Sequence, residues 1–403
     1  MTENTPAVRL PDHADIIVAV HDLRRNVDRA VRSILADPDP RVRALIVAHN
    51  LPRDEVEVAL ADLIREHPGR VRVEELSDGI PSPSGPFNFG MGISDAEYVG
   101  IMGSDDELDP GAVSQWRHTA KRHRADAVIA KVVRGEQRTL VRSPPKRVLR
   151  SGVLDFAKDR LSYRSAPLGL IRSEAVSRLG LRLMDGARNG GDLPFVTRLW
   201  LRGRVVPAQG LSAYVEHADA PVRVTHVAKP VAEELWPVLE LLDSSDVDGM
   251  SRGEREALVT KTLRRNVLDA VRKRGSGRDF TAEDLSSLRE LLGKLHAVAP
   301  RARGMVSSVQ AALFDELLSA EPDRERIAEL DHASTQYRDL AALRPAQLRY
   351  LLHSQAQPRF TIASASIKIG ASRYFPFARA GLLIGLIAVV IALVTAVVVA
   401  VSR

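Results

Sequence analysis

The feature that most constrains this chain is a succession of short apolar runs set apart by stretches of helical period. Residues 14–22 (ADIIVAVHD) read as a first strand, and an amphipathic helix is predicted from about Leu23 to Leu35, with apolar Leu23, Val27, Ala30, Val31 and Ile34. A second strand is predicted over 44–48, a helix over 54–66 with Val56, Leu60, Leu63 and Ile64 on one face, and a third strand over 70–73. Strand, helix, strand, helix, strand is the pattern of βαβ units, and it implies an α/β fold with a mainly parallel sheet flanked by helices.

Residues 85–110 (GPFNFGMGISDAEYVGIMGSDDELDP) add chemistry to that frame. A glycine-punctuated loop leads to the strand-like run YVGIM (98–102), which is followed by Gly103, Ser104, Asp105 and Asp106. Two carboxylates at the carboxyl end of a strand lie where open α/β sheets form their ligand crevice. Hard cations such as Mg2+ or Mn2+ take one or two carboxylates there and complete their shell with water and substrate phosphate. The same acidic run is also what a solvated turn or a helix N-cap looks like.

These landmarks, over roughly residues 15–226, resemble the family 2 glycosyltransferases, which have the GT-A fold. The resemblance is carried by IIVAVHDL at the first strand, PSPSGPFNFGMGIS (81–94), YVGIMGSDDELDP (98–110) and NGGDLPFVTRLWLRGRVV (189–206). It implies that Asp105 contacts the donor ribose, that Asp106 holds a divalent metal (Mg2+ or Mn2+) on the diphosphate, and that Asp192 is the general base for the acceptor hydroxyl. His21, Asp22, Asn50 and Gly85 would line the donor pocket, and His226 would supply a further metal or phosphate ligand. Arg164, Arg172 and Arg188 would reach acceptor or diphosphate, or be solvated. His21 and Asp22 equally suit a cap on the next helix, and Asp192 before Leu193-Pro194 equally suits an N-cap. The chain departs from the family at three places. Ala48, His49 and Asn50 stand where many members have two aspartates, one of which reads the base; Gly103 replaces a frequent aspartate; Gly191 replaces a glutamate before the base.

The expected organisation is an N-terminal tail (1–13), a GT-A domain (14–227), a helical domain (228–357), a juxtamembrane linker (358–379) and a transmembrane helix (380–401). The last is 22 residues without a charge (AGLLIGLIAVVIALVTAVVVAV), long enough to cross a hydrocarbon core of roughly 30 Å. Lys368, Arg373 and Arg379 before it favour a cytoplasmic catalytic side, and the polar first eleven residues lack the apolar core of an export signal. With no cysteine, the chain can form neither disulfides nor thiolate sites. A net charge of +6 suits a membrane surface, whereas 4% aromatic residues offer few stacking platforms for nucleic acid. The expected function is metal-assisted, inverting transfer of a sugar from a nucleotide-sugar donor to an envelope glycan or glycolipid acceptor at the membrane. The alternative is a non-catalytic glycosyltransferase-like scaffold that binds a sugar nucleotide or a partner protein; a nucleotidyltransferase is a third reading.

Overall fold

The computed structural model describes residues 9–147, 150–217, 229–336 and 339–370. The first half alternates as the apolar runs require: β1 (Leu10–Val20), α1 (Val27–Leu35), β2 (Val42–His49), α2 (Arg53–Ala59), α3 (Ala61–Glu66), β3 (Val71–Leu76), α4 (Ser84–Ile93) and β4 (Ala96–Gly103). Then come β5 (Glu107–Leu108), α5 (Ala112–His123), β6 (Ala127–Ile129), β7 (Val132–Arg134), β8 (Thr139–Leu140), β9 (Gly169–Arg172), α6 (Ser173–Arg178), α7 (Leu193–Arg202), β10 (Val205–Pro207) and β11 (Tyr214–Glu216).

Among the described residues, seven strands form one sheet in the order β10-β6-β9-β4-β1-β2-β3. The pairs β1–β2, β2–β3, β1–β4 and β10–β6 are parallel, while β9 runs antiparallel to both neighbours. The predicted mainly parallel sheet is therefore present, with one reversed strand. A second, four-stranded sheet has the order β5-β11-β7-β8 and begins directly after the acidic turn.

The glycine-punctuated loop read before 98 is helix α4, β1 begins at Leu10 inside the expected tail, and two helices differ from the sequence reading for identifiable reasons. The first helix starts at Val27 rather than Leu23, because Asp22 accepts bonds from the Arg24 amide (2.9 Å) and guanidinium (2.7 Å) and closes a turn of its own. The stretch 54–66 is two helices, since Leu60 leaves helical geometry at φ −109°, ψ 11°.

The remainder is helical, as expected: α8 (Val231–Leu242), α9 (Ser245–Asp248), α10 (Arg252–Thr262), a π turn at Leu263–Val267, α11 (Leu268–Arg272), α12 (Ala282–Val298), α13 (Ser308–Leu318), α14 (Arg324–Ser334), α15 (Leu340–Leu343) and α16 (Gln357–Gly370). Ser251, Thr281 and Ser307 each begin a helix with a full capping box, so these starts are written locally. The helices do not form a core of their own. Leu235, Val238, Leu258 and Leu313 belong to one apolar cluster with Leu193, Phe195 and Leu199 of α7 and with Ile17, Val47, Val99 and Ile171 of the sheet. The opposite sheet face packs Ile16, Val18 and Ile46 against Val31 and Ile34 of α1 and Trp116 of α5. Part of the expected linker is helix α16, which packs back on the first domain through Phe360, its ring 4.9 Å from Tyr163. Among the described residues no helix is long and apolar enough to cross a membrane; the predicted span 380–401 lies outside them.

The junction of β4, β9 and β6 depends on two glycines. A Cβ on Gly169 (φ +140°) would lie 2.0 Å from the Val128 carbonyl oxygen, and one on Gly100 would lie 2.7 Å from the Gly169 carbonyl oxygen. Gly169→Ala should cost about 3 kcal/mol by overpacking, read as a lower denaturant midpoint. Gly92→Ala, on open helix surface in α4, should be neutral or raise the midpoint slightly.

Candidate functional site

The site lies at the carboxyl ends of β1, β2, β3 and β4, where the topology brings loops together from both sides of the sheet. At the end of β2, Asn50 takes a left-handed conformation (φ 55°), and its side-chain oxygen accepts the Gly79 N–H at 2.8 Å. The buried His49 ring lies 2.9 Å from Asp78, which also accepts the Ile80 N–H at 2.9 Å. Burial works against the Asp78 charge, but the Ile80 amide and His49 hold its carboxyl below the usual range. Gly85 opens α4 so close that a Cβ there would meet the Asp78 carboxylate at 2.6 Å. Asn50 and Gly85 are thus brought together around Asp78. The carboxylate missing from the β2 end is supplied here from the loop after β3. Sequence reasoning passed over Asp78; its signal was the Ser-Asp-Gly turn that follows the third strand.

The acidic turn after β4 is held from two sides. Asp105, 7% exposed, receives Arg25 at 2.6 Å on Oδ2, and its backbone carbonyl accepts from Arg29. Asp106 accepts the Tyr214 hydroxyl at 2.5 Å and the His217 N–H at 3.1 Å, and Tyr214 in turn accepts the Gly103 N–H at 3.1 Å. Burial, reinforced by the neighbouring Asp105 charge, pushes the Asp106 carboxyl up to about 6 against the hydrogen bond from Tyr214. The solvated-turn reading of this run therefore fails for these two residues.

Gly103 leaves space between the two carboxylates. A Cβ at that position would lie 2.7 Å from Asp106 Oδ2 and 3.1 Å from Asp105 Oδ1. Two carboxylate oxygens aimed at one small gap match the donor set of a hard divalent cation that keeps water and phosphate as its other ligands. Among the described residues no cluster of three His, Cys, Asp or Glu is present, and His226 lies outside them. His21 is exposed at the end of β1; desolvation and then the Arg25 charge hold its ring below the ordinary value. Asp22 is engaged by Arg24 in the turn described above, and neither residue caps α1, whose N-cap position is Asn26.

Beside the turn runs a cleft of about 760 Å³ between the sheet domain and the helices. Ile101 of β4 and Glu216 of β11 line it from the sheet, Asp192 and Arg188 from the segment before α7, and Lys261, Arg265, Asn266 and Lys273 from the helical region. Asp192 occupies the N-cap position of α7, yet its side chain makes no capping bond, so the cap reading does not account for it. Burial raises its carboxyl to about 6, moderated by the Lys261 charge. Lys261 is 4% exposed, donates to Asn266 at 3.0 Å across the π turn, and is lowered by burial to about 8 despite the pull of Asp192. A carboxylate raised toward neutral pKa beside a lysine lowered toward it is a pair suited to moving a proton. Sequence reasoning missed Lys261, because only the folding of α10 onto the cleft places it there. Arg164 lines the cleft but spends its guanidinium on the Ala130 and Leu168 carbonyls. Arg172 pairs with Glu97 and stacks over Tyr98, in the β4–β9 pairing.

The curated protein poly(ribitol-phosphate) beta-N-acetylglucosaminyltransferase TarP of Staphylococcus aureus (strain N315) is 23% identical over 147 residues, 36% of this chain. That alignment covers only 44% of TarP, so this chain matches under half the length of that relative. The crystal structure of S. aureus TarS 1-349 in complex with UDP-GlcNAc superimposes with a TM-score of 0.66 at 14% identity, covering 81% of this chain and 92% of that one. The S. aureus TarS structure without the 1-349 limit gives 0.62 at 14% identity, covering 80% of this chain and 55% of that one. At such identities these two establish the fold alone, a GT-A-like mixed sheet with helices. The sequence pattern of Glycosyl transferase family 2 matches residues 15–180, which include the second half of β1, both carboxylates of the acidic turn and β9. Over residues 15–180, therefore, the chain is similar to the family 2 glycosyltransferase domain.

Proposed function

We propose that this protein transfers a sugar, with inversion, from a uridine nucleotide-sugar donor to a hydroxyl of an anionic envelope glycan or lipid-linked acceptor, at the membrane that residues 380–401 span. The observation that carries the reading is the cleft that puts Asp192 opposite Lys261 and beside the end of β4. Asp78 and Asn50 would present an acceptor and a donor to the edge of a base, and a neighbour of the same fold was solved in complex with UDP-GlcNAc. Asp105 and Asp106 would hold a divalent cation on the diphosphate, which supplies Lewis-acid stabilisation of the departing group. Asp192 takes the proton of the acceptor hydroxyl as its oxygen bonds to the anomeric carbon. The bond from that carbon to the phosphate oxygen breaks on the opposite side, and its electron pair leaves with the nucleoside diphosphate. Arg188 on the cleft wall, with Arg265 and Lys273 beside their partners Asp269 and Glu234, would supply positive charge for an acceptor of the poly(ribitol phosphate) type that the name of TarP describes.

Nucleoside diphosphate release should be tested across a panel of nucleotide sugars with Mn2+ or Mg2+ and envelope extract as acceptor. Release from one uridine donor is expected, abolished in Asp106→Ala and reduced roughly 10²–10⁴-fold in Asp192→Asn, the usual worth of a general base. Binding without turnover on every donor would instead support the scaffold.

The base must be ionised to act, so transfer should be lost as pH falls through about 6, the value to which burial raises Asp192. Because the Lys261 charge lowers that value, Lys261→Met should move the acid limb of kcat/KM to higher pH by up to about one unit. An unmoved limb would separate the two groups. Asp78→Ala should raise KM for the uridine donor by roughly tenfold to a hundredfold, the cost of leaving a recognition bond unmade, with a smaller change in kcat.

A further inference from the structure

The last acidic residue of the chain is Asp339; the 64 residues after it hold seven arginines and lysines and no aspartate or glutamate. The described part of this stretch is ordered. Backbone bonds from Ser308 to Arg344, from Ala346 to Val306 and from Gln347 to Gly304 fasten it to the helical core. Its inner side is packed, with Ala342 and Tyr350 buried and Arg301 stacked over the Tyr350 ring at 5.2 Å. Its outer side is apolar and cationic. Leu340 is 55% exposed, Leu348 43% and Leu352 70%, and Arg344, Arg349 and Arg359 are exposed among them. Arg359 donates to the Leu352 carbonyl at 3.0 Å, which brings the start of α16 onto the same patch. Single exposed leucines are ordinary, but three within thirteen residues, interleaved with arginines and with one acid at the edge, Asp339, which caps α15, are a surface of a different kind.

We propose that this face, formed by α15, the turn at Leu348–Tyr350 and the first turn of α16, docks on an anionic lipid bilayer. Leu340, Leu348 and Leu352 would enter the boundary between headgroups and acyl chains, and Arg344, Arg349 and Arg359 would meet lipid phosphates. The continuation of the chain argues for a bilayer over other partners. Gly370 is the last described residue of α16, and the uncharged stretch 380–401 begins ten residues later, a reach of at most about 35 Å. A membrane entered by that stretch lies within this distance of Gly370, and so within reach of α16, whose first turn carries Arg359 of the patch. Docking also orients the cleft, because Phe360 of α16 lines the cleft and packs on Tyr163. The acceptor side is thereby held at the lipid surface.

The docking proposal rests on reading 380–401 as a span, and the test separates the two. Since the chain has no cysteine, one thiol can be placed at will. Full-length Leu348→Cys, Leu352→Cys and Val58→Cys proteins, the last on the 77% exposed Val58 of α2, carry an environment-sensitive dye in phosphatidylglycerol nanodiscs with a spin-labelled lipid quencher. Quenching at 348 and 352 several-fold above that at 58 is expected. Failure to enter nanodiscs removes the span alone, and the labelled proteins are then mixed with phosphatidylglycerol vesicles, where the same contrast is expected. In those vesicles the Arg344→Glu, Arg349→Glu, Arg359→Glu variant, with an unchanged circular dichroism spectrum, should partition roughly a hundredfold more weakly, at about 1 kcal/mol per arginine. Equal quenching at 352 and 58 overturns the proposal. So does burial of the 352 dye only when a soluble anionic glycan is added, or only as protein concentration rises, which would assign the patch to a glycan or to a second copy.

Discussion

The acceptor side of this protein depends on one apolar surface, the face of the sheet that carries Ile17, Val47, Val99 and Ile171. The helices after residue 229 bury their own leucines against α7 and, through it, against that face. Because the cluster is continuous, separating the helical region from the sheet would expose both at once, at roughly 25 cal/mol for every Å². The relative placement of the two parts is therefore held by burial rather than by a linker. Lys261 owes its position opposite Asp192 to that constraint. So does α16, which returns to the first domain and stacks Phe360 on Tyr163.

A second constraint acts on the donor side. The small sheet places Tyr214 where its hydroxyl bridges Asp106 and the Gly103 amide, so the acidic turn is bonded to both sheets. A short carboxylate turn left to solvent would sample many conformations; one held by a buried tyrosine, by Arg25 and by a backbone amide has a single arrangement. The cost appears in the Asp106 carboxyl, raised by burial and by its neighbour. A cation held there, as proposed, would offset that penalty with its own charge. Asp192 shows a similar elevation, again from burial, and a carboxyl near neutral pKa would suit the base role proposed for it.

The family pattern tolerates its departures in this chain because neighbours compensate. Asn50 and His49 replace acidic residues at the end of β2, and Asp78 restores a carboxylate from the adjacent strand end, within 2.9 Å of His49. Gly103 replaces an aspartate and leaves the gap into which Asp105 and Asp106 point. Gly191 sits where a Cβ would meet Ser84 Oγ at 2.7 Å, so the residue before Asp192 is small for reasons of packing.

The sequence by itself determined the alternation of β1 to β4 with their helices, the carboxylates at the end of β4, the starts of α10, α12 and α13, and Asp192 ahead of α7. Each is written in local periodicity or in cap and turn residues that act over a few positions. It missed the true start of α1 and the break at Leu60, where a side-chain turn and a single dihedral outweighed the apolar spacing. Tertiary structure alone decided that β9 runs antiparallel in the main sheet and that Asp78 meets Asn50. It alone decided that Tyr214 holds Asp106 and that Lys261 faces Asp192. These pairs lie 28 to 108 residues apart where they are bonded, and no local pattern encodes them. They form because burying the apolar faces leaves one arrangement in which the intervening polar groups find partners.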